Sequence, residues 1–183
     1  MKPIRLVLEN LRSYRARQEV SFEDLGLFAV TGPTGAGKSS LLEAMVYALF
    51  GSCTFDQRSV KPLIADGPPD TTMTVGLEFE VRGQRWRVDR SASLNGRTSV
   101  HCLRRQDGEG AFDGQAEVDR KIRELLGLDC DQFLKTVVLP QGRFQQLLMA
   151  RAAERTGLLK NLLGLDDLDR LAQAVQERSK TLN

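Results

Sequence analysis

Gly32-Pro33-Thr34-Gly35-Ala36-Gly37-Lys38-Ser39 is the stretch on which the reading of this chain turns. It fits G-x-x-x-x-G-K-[ST] at every fixed position. Before it, Leu27 to Thr31 is a compact apolar run that reads as a strand. After it, Leu41, Leu42, Met45, Ala48 and Leu49 fall on one helical face that ends at Gly51. Strand, glycine-rich turn and helix in that order are what a phosphate-binding loop requires. Its glycines let the backbone turn with N–H groups pointing inward as an anion nest. The first helical turn adds its unpaired amides and the positive end of its dipole. Gly32, Pro33, Thr34, Gly35, Ala36 and Gly37 are therefore expected to wrap the phosphates of a nucleotide. Lys38 is expected to reach the β- and γ-phosphates, Ser39 to ligate magnesium, and Ser40 to hydrogen-bond a neighbouring phosphate. The loop does not by itself choose among nucleotide-binding classes, although the guanine-reading N-K-x-D segment of small GTPases does not occur.

Upstream, Ile4, Leu6 and Leu8 alternate with Arg5, Val7 and Glu9, the pattern of an edge or half-buried strand. A polar loop from Asn10 to Gln18 leads to a second short strand at Glu19-Val20-Ser21-Phe22. Downstream, a long loop from Ser52 to Asp70 carries Pro62, Gly67, Pro68 and Pro69. Three strands should follow, Thr72 to Val81, Arg85 to Ser91 and Thr98 to Arg105. Arg82-Gly83-Gln84 and Asn95-Gly96 supply the turns of an antiparallel block. A helix is expected from Gln115 to Leu126, then a short buried strand from Thr136 to Leu139. After Pro140-Gln141-Gly142 the remainder reads as helical. Leu168, Leu171, Val175 and Leu182 are spaced for a heptad seam, and a coiled coil and a capping helix both fit.

Composition bounds the class. The chain has 183 residues, with 26 Lys+Arg against 24 Asp+Glu and a formal charge of +2, so any basic surface must come from local clustering. The apolar run from Leu41 to Phe50 contains Glu43 and is too short to span a bilayer. Met1-Lys2-Pro3 leads straight into a strand pattern with no signal segment, so a cytoplasmic protein without a membrane partner is expected. Cys53, Cys102 and Cys130 are widely spaced and His101 is the only histidine, which disfavours a zinc site and suits reduced thiols. Trp86 suits a core position better than a base-stacking platform. Arg82, Arg85, Arg87 and Arg90 lie in one hairpin, and Arg97, Arg104 and Arg105 in the next. Two readings stand for them: a cationic face for duplex DNA phosphates, or a solvated face that discourages edge-to-edge aggregation.

Four segments together resemble the SbcC family, the SMC-like branch of the ABC ATPases. Met1-Lys2-Pro3-Ile4 with Arg12-Ser13-Tyr14 and Phe22 is similar to its first hairpin. Gly35 through Met45, with Ala48-Leu49-Phe50-Gly51, resembles its phosphate loop and first helix. Glu78-Phe79-Glu80-Val81 with Trp86-Arg87-Val88 resembles its sheet insertion. Leu139-Pro140-Gln141-Gly142-Arg143-Phe144, followed by Glu154-Arg155, Leu158-Leu159 and Leu162-Leu163-Gly164, is similar to its Q-loop and exit into the coiled coil.

The resemblance implies an α/β fold, lobe I of a P-loop ABC-type ATPase head with an antiparallel β insertion, leading into the start of a coiled-coil helix. Residues 1–150 would form the N-terminal half of the head and 151–183 the helical exit. ATP and Mg2+ are the implied cofactors. Gln141 would contact the magnesium and the attacking water and, with Lys38, serve catalysis; Arg12 and Ser13 would lie along the nucleotide; Leu63, Ile64 and Ala65 would pass near the base. Arg97, Arg104, Arg105 and Lys180 are the candidate DNA contacts. An apolar run ending in Asp-Glu, a Ser-Gly-Gly signature and a switch histidine do not occur in the sequence, and in the family they lie in a C-terminal segment. The implied activity is ATP hydrolysis, incomplete in this chain. The implied partners are the C-terminal half of the same head, a second head on ATP binding, an SbcD-like nuclease and double-stranded DNA. Another SMC-like head, of RecF, RecN or chromosome-condensation type, is the nearest alternative; an ABC transporter nucleotide-binding domain is a more distant one.

Overall fold

Alternating apolar and polar residues build one antiparallel sheet, because successive side chains of a strand point to opposite faces. The structure, a computed structural model, describes residues 1–54 and 59–138. Strands β1 (Lys2–Glu9), β2 (Gln18–Ser21), β3 (Thr72–Val81), β4 (Gln84–Ser93), β5 (Ser99–Arg105) and β6 (Ala111–Asp113) pair in the order β2-β1-β3-β4-β5-β6. The register sets Leu6 opposite Leu77, Leu77 opposite Val88 and Val88 opposite Leu103, so one apolar row crosses four strands. Helices α1 (Lys38–Phe50) and α2 (Gln115–Leu126) pack on this face. Leu6, Leu8, Leu77, Phe79, Val88, Leu103, Val118 and Ile122 are fully buried there. Each such side chain contributes roughly 1.5–3 kcal/mol relative to exposure. Trp86 joins this core, as expected.

The other face is charged. Arg5 reaches Glu78 at 2.6 Å, Glu78 reaches Arg87 at 2.9 Å, and Arg87 reaches Asp89 at 2.8 Å. Burial pushes the Glu78 carboxyl up, but the hydrogen bonds and charges of Arg5 and Arg87 outweigh it and hold the group below its ordinary value. The β3–β4 hairpin closes through Arg82 and Gly83, both at positive φ (51° and 74°), the mirror-image turn that matches strand twist.

The chain divides into two compact units, Met1–Gly127 and Leu128–Asn183. The first holds the sheet, α1 and α2; the second holds α3 (Cys130–Thr136).

Several expectations are corrected. Of the two readings of β1 the half-buried one holds and the edge one does not, because β2 pairs on one side and β3 on the other. Residues 27–31 form no strand: their backbone finds no partner strand among the described residues, and Leu27 is 93% exposed. Leu42 is exposed rather than on the packed face of α1, which buries Leu41, Ala44, Val46, Tyr47, Ala48 and Leu49. Thr136 ends a helix instead of opening a strand. Asp129 and Gln132 form a reciprocal capping box that starts α3, and this local signal outweighs the β-branched run after it. Leu139 lies outside the described residues. Arg90 belongs to the core and not to a cationic face. β6 was not anticipated; three residues are too few for a period to show.

Candidate functional site

Gly37 is the N-cap of α1 and sits in the left-handed region at φ 88°, with no side chain capping the helix. No acidic residue occupies the first turn. Among the described residues the amides at this terminus are therefore not claimed by a capping side chain, and no carboxylate of the first turn competes for them. Gly35 also has positive φ, at 84°, and the Ala36 N–H donates to the Pro33 carbonyl at 3.3 Å, closing the loop. Lys38 Nζ lies over the loop, donating to the Gly32 carbonyl at 2.9 Å and the Pro33 carbonyl at 2.7 Å. Residues 32–36 and Ser39 are exposed, whereas Ser40 is buried and its N–H donates to the Gly37 carbonyl at 3.0 Å. The arrangement is a basic, amide-lined cradle, which suits an anion.

A second segment stands against it. Leu11 and Tyr14 exchange backbone hydrogen bonds at 3.0 and 2.9 Å around Arg12 and Ser13, and Arg12 adopts φ 48°. The Arg12 N–H donates to the Leu63 carbonyl and the Ala65 N–H to the Asn10 carbonyl, both at 2.8 Å. The structure thus brings Arg12 and Ser13 together with Leu63, Ile64 and Ala65. The latter three are buried, so it is their backbone that meets the turn. The Tyr14 hydroxyl donates to the Gly37 carbonyl at 3.3 Å. A Cβ placed on Gly37 would lie 2.7 Å from both Ser13 Oγ and Tyr14 Cε2.

The far end of α1 is held by Arg90, whose side chain is fully buried. Its Nε donates to the Ala48 carbonyl at 2.8 Å and its Nη2 to the Leu49 carbonyl at 3.0 Å. Nη2 also meets Asp119 at 2.6 Å, and Nη1 lies 3.0 Å from His101 Nδ1. α1 has no basic residue in its own last turn, so Arg90 supplies from β4 the cation that a helix C-terminus favours. Burial, aided by Arg90, pushes His101 below its ordinary value. Burial drives the Tyr47 hydroxyl up to about 12, with Arg90 partly opposing it. Glu43 fixes the loop after the helix, accepting from the Thr54 N–H at 3.0 Å and from the Thr54 hydroxyl.

The arginines do not form one patch. Arg97 is exposed at the β4–β5 turn. Arg104 and Arg105 are successive residues of β5 and point to opposite faces. Arg104 pairs with Asp113 at 2.7 Å and Arg105 with Asp107 at 2.8 Å. Gln141 and Lys180, together with the heptad seam, lie outside the described residues. Sequence reasoning missed Tyr14 and Arg90 as parts of the site. Tyr14 carried no signal beyond its place beside Arg12 and Ser13. Arg90 could have been suspected, since it occupies a core-facing position two residues from Val88.

A family model described as an AAA domain matches residues 5–183. The chain is 36% identical to the SbcC subunit of the nuclease SbcCD from Deinococcus radiodurans, over 98% of this chain and 20% of that protein. It is 32% identical to the protein of the same name from Vibrio cholerae, over 98% of this chain and 19% of that one. It is 31% identical to the probable DNA double-strand break repair Rad50 ATPase of Aquifex aeolicus, over 100% of this chain and 18% of that protein. The chain thus spans about a fifth of the length of these curated relatives. A solved SMC head domain from Thermotoga maritima aligns at a TM-score of 0.50 and 24% identity, covering 82% of this chain and 52% of that one. The fold is that of an ABC-type ATPase head lobe, and the resemblance to the SbcC family is borne out by these relatives. With residues 5–183 matched, the chain belongs to the AAA-domain family.

Proposed function

We propose that the chain is the N-terminal half of an ATP-binding head that, completed by a C-terminal half, hydrolyses ATP and gates an SbcD-like nuclease in double-strand-break repair. The observation that carries the reading is the cradle at Gly37: a helix N-terminus without a side-chain cap or acidic residue, with Lys38 folded over the loop. Those groups fit a polyphosphate and its Mg2+. When bound, the nucleotide supplies the phosphoanhydride whose cleavage drives the head. The backbone N–H groups of the loop from Thr34 to Gly37 would hold it, with Gly32 and Pro33 shaping the turn, Lys38 would neutralise the β- and γ-phosphates, and Ser39 would ligate the metal. Arg12 and Ser13 would lie along the nucleotide, the backbone of Leu63, Ile64 and Ala65 would border the base, and Gln141 would contact the metal and the attacking water. Relatives named as part of a nuclease and as a double-strand break repair ATPase support repair as the setting, and a cytoplasmic location accords with it.

The exposed run at Leu27, Phe28 and Val30 supports a C-terminal partner segment, since an apolar stretch that pairs with no strand among the described residues invites an added one. Residues 1–150 would then be the head half and 151–183 the helical exit. A second head and duplex DNA would follow as partners, with Arg97, Arg104, Arg105 and Lys180 as phosphate contacts. Of these arginines, exposed Arg97 has the least to displace before meeting a phosphate. Co-expression of the chain with such a C-terminal segment tests the reading. A stable complex with ATPase activity that the chain alone lacks supports it, and full activity in the isolated chain rules it out.

A further inference from the structure

We propose that Tyr14 is a positioning residue of the phosphate loop, aiming the Lys38 amide by holding the carbonyl of Gly37; the inference rests on reading that loop as a nucleotide site. Tyr14 is itself well fixed. Its backbone exchanges two hydrogen bonds with Leu11, and the turn between them is tied to Leu63 through the Arg12 N–H. From that base the hydroxyl reaches the Gly37 carbonyl at 3.3 Å, and the ring edge occupies the space beside the Gly37 Cα.

The consequence follows from peptide geometry. The Gly37–Lys38 peptide is planar and trans, so its C=O and N–H point in opposite directions. Fixing the direction of the carbonyl therefore fixes the direction of the Lys38 N–H, one of the amides expected to meet phosphate. A carbonyl oxygen has two lone pairs. At Gly37 one accepts the Ser40 N–H at 3.0 Å, which begins the helix, and the other accepts Tyr14. Because Gly37 has no Cβ and α1 has no side-chain cap, no side chain of the helix itself restrains this peptide. Tyr14 takes that role from outside and at the same time sets the spacing between the loop and Arg12 and Ser13.

The test is Tyr14→Phe in the full chain, which removes the donor and keeps the ring. Mg–ATP affinity should fall about three- to tenfold, the scale of one hydrogen bond. The melting temperature without nucleotide should not change. The 31P resonance of the bound β-phosphate should move, because the amide facing it is re-aimed; a residue that served only the fold would lower the melting temperature and leave that resonance in place. Tyr14→Ala, which also removes the ring, should bind more weakly still. Wild-type affinity and an unmoved resonance in Tyr14→Phe would overturn the inference and leave the nucleotide reading standing. Absence of ATP binding in the wild-type chain would remove both.

Discussion

Arg90 of β4 and Asp119 of α2 meet at 2.6 Å beside the C-terminus of α1, where the same guanidinium group also serves the carbonyls of Ala48 and Leu49. With the Gly51 N–H on the Tyr47 carbonyl at 2.8 Å, three of the last helical carbonyls are accounted for. The helix that follows the glycine-rich loop is thus anchored at its far end to both the sheet and the second helix.

Replacing Arg90 by Met should destabilise the fold by about 3 kcal/mol, since it leaves the buried Ala48 and Leu49 carbonyls without their donor and takes the cation from Asp119. Thermal unfolding should fall by about 10 °C. Arg90→Lys should recover only part of this loss, because one ammonium cannot address two carbonyls, a carboxylate and an imidazole in a fixed plane. A melting temperature unchanged in Arg90→Met would show that the anchor carries no stability.

His101 predicts the acid limit of stability. Its pKa is lowered from 6.5, first by burial and then by Arg90, with Asp119 opposing. The folded chain therefore binds this proton less readily than the unfolded chain. Stability is full above 6.5 and is lost as pH falls through the lower folded value. Glu78, Asp107 and Glu124 are depressed from ordinary values of 4.5, 3.8 and 4.5, so their losses begin at lower pH. Denaturation measured from pH 7 to pH 5 should show a slope in the wild type and a flatter one in His101→Gln. Equal slopes would assign the acid response elsewhere.

How much of this was legible in the sequence depended on how local each signal was. The glycine-rich turn before α1, α1 itself, α2 and the β3–β4–β5 block were readable because each has its own period or turn chemistry: Asn95-Gly96 closes a hairpin without reference to anything distant. The strand expected at residues 27–31 was not, because a strand exists only when another segment pairs with it, and none among the described residues does. The placement of the arginines was not legible for a related reason. A charge count cannot tell that Arg90 is fully buried, or that Arg104 and Arg105 face opposite ways and each meets an aspartate. Within the candidate site, Lys38 and Ser39 are proposed from the motif alone, whereas Tyr14 reaches Gly37 across 23 positions and no spacing rule connects them.

Gly37→Ala should be severe. The position has φ 88°, which strains any L side chain, and the added Cβ would fall 2.7 Å from Ser13 Oγ and the Tyr14 ring. Strain of this kind costs about 1–3 kcal/mol. Mg–ATP affinity should fall by at least tenfold, whereas Gly35→Ala, with nothing within 4 Å of its Cβ, should lose less. Calorimetry on the two variants gives the order; the reverse order would contradict the crowding described at Gly37.

Leu27→Asp should separate folding from assembly. The side chain is almost wholly exposed, so the chain's own melting temperature should stay within about 1 °C, as surface changes usually do. Capture of the C-terminal segment, read by co-purification, should be lost. Retained capture would place the interface away from residues 27–31.

The most direct test of the account is calorimetric titration of Mg–ATP into the chain and into Lys38→Ala. Among the described residues Lys38 donates to the loop's own Gly32 and Pro33 carbonyls, so its truncation should leave the fold intact. The account predicts a saturable heat of binding for the wild type, none for the variant, and equal melting temperatures for both. Equal ATP affinity in the two proteins, or no binding by the wild type, would contradict it.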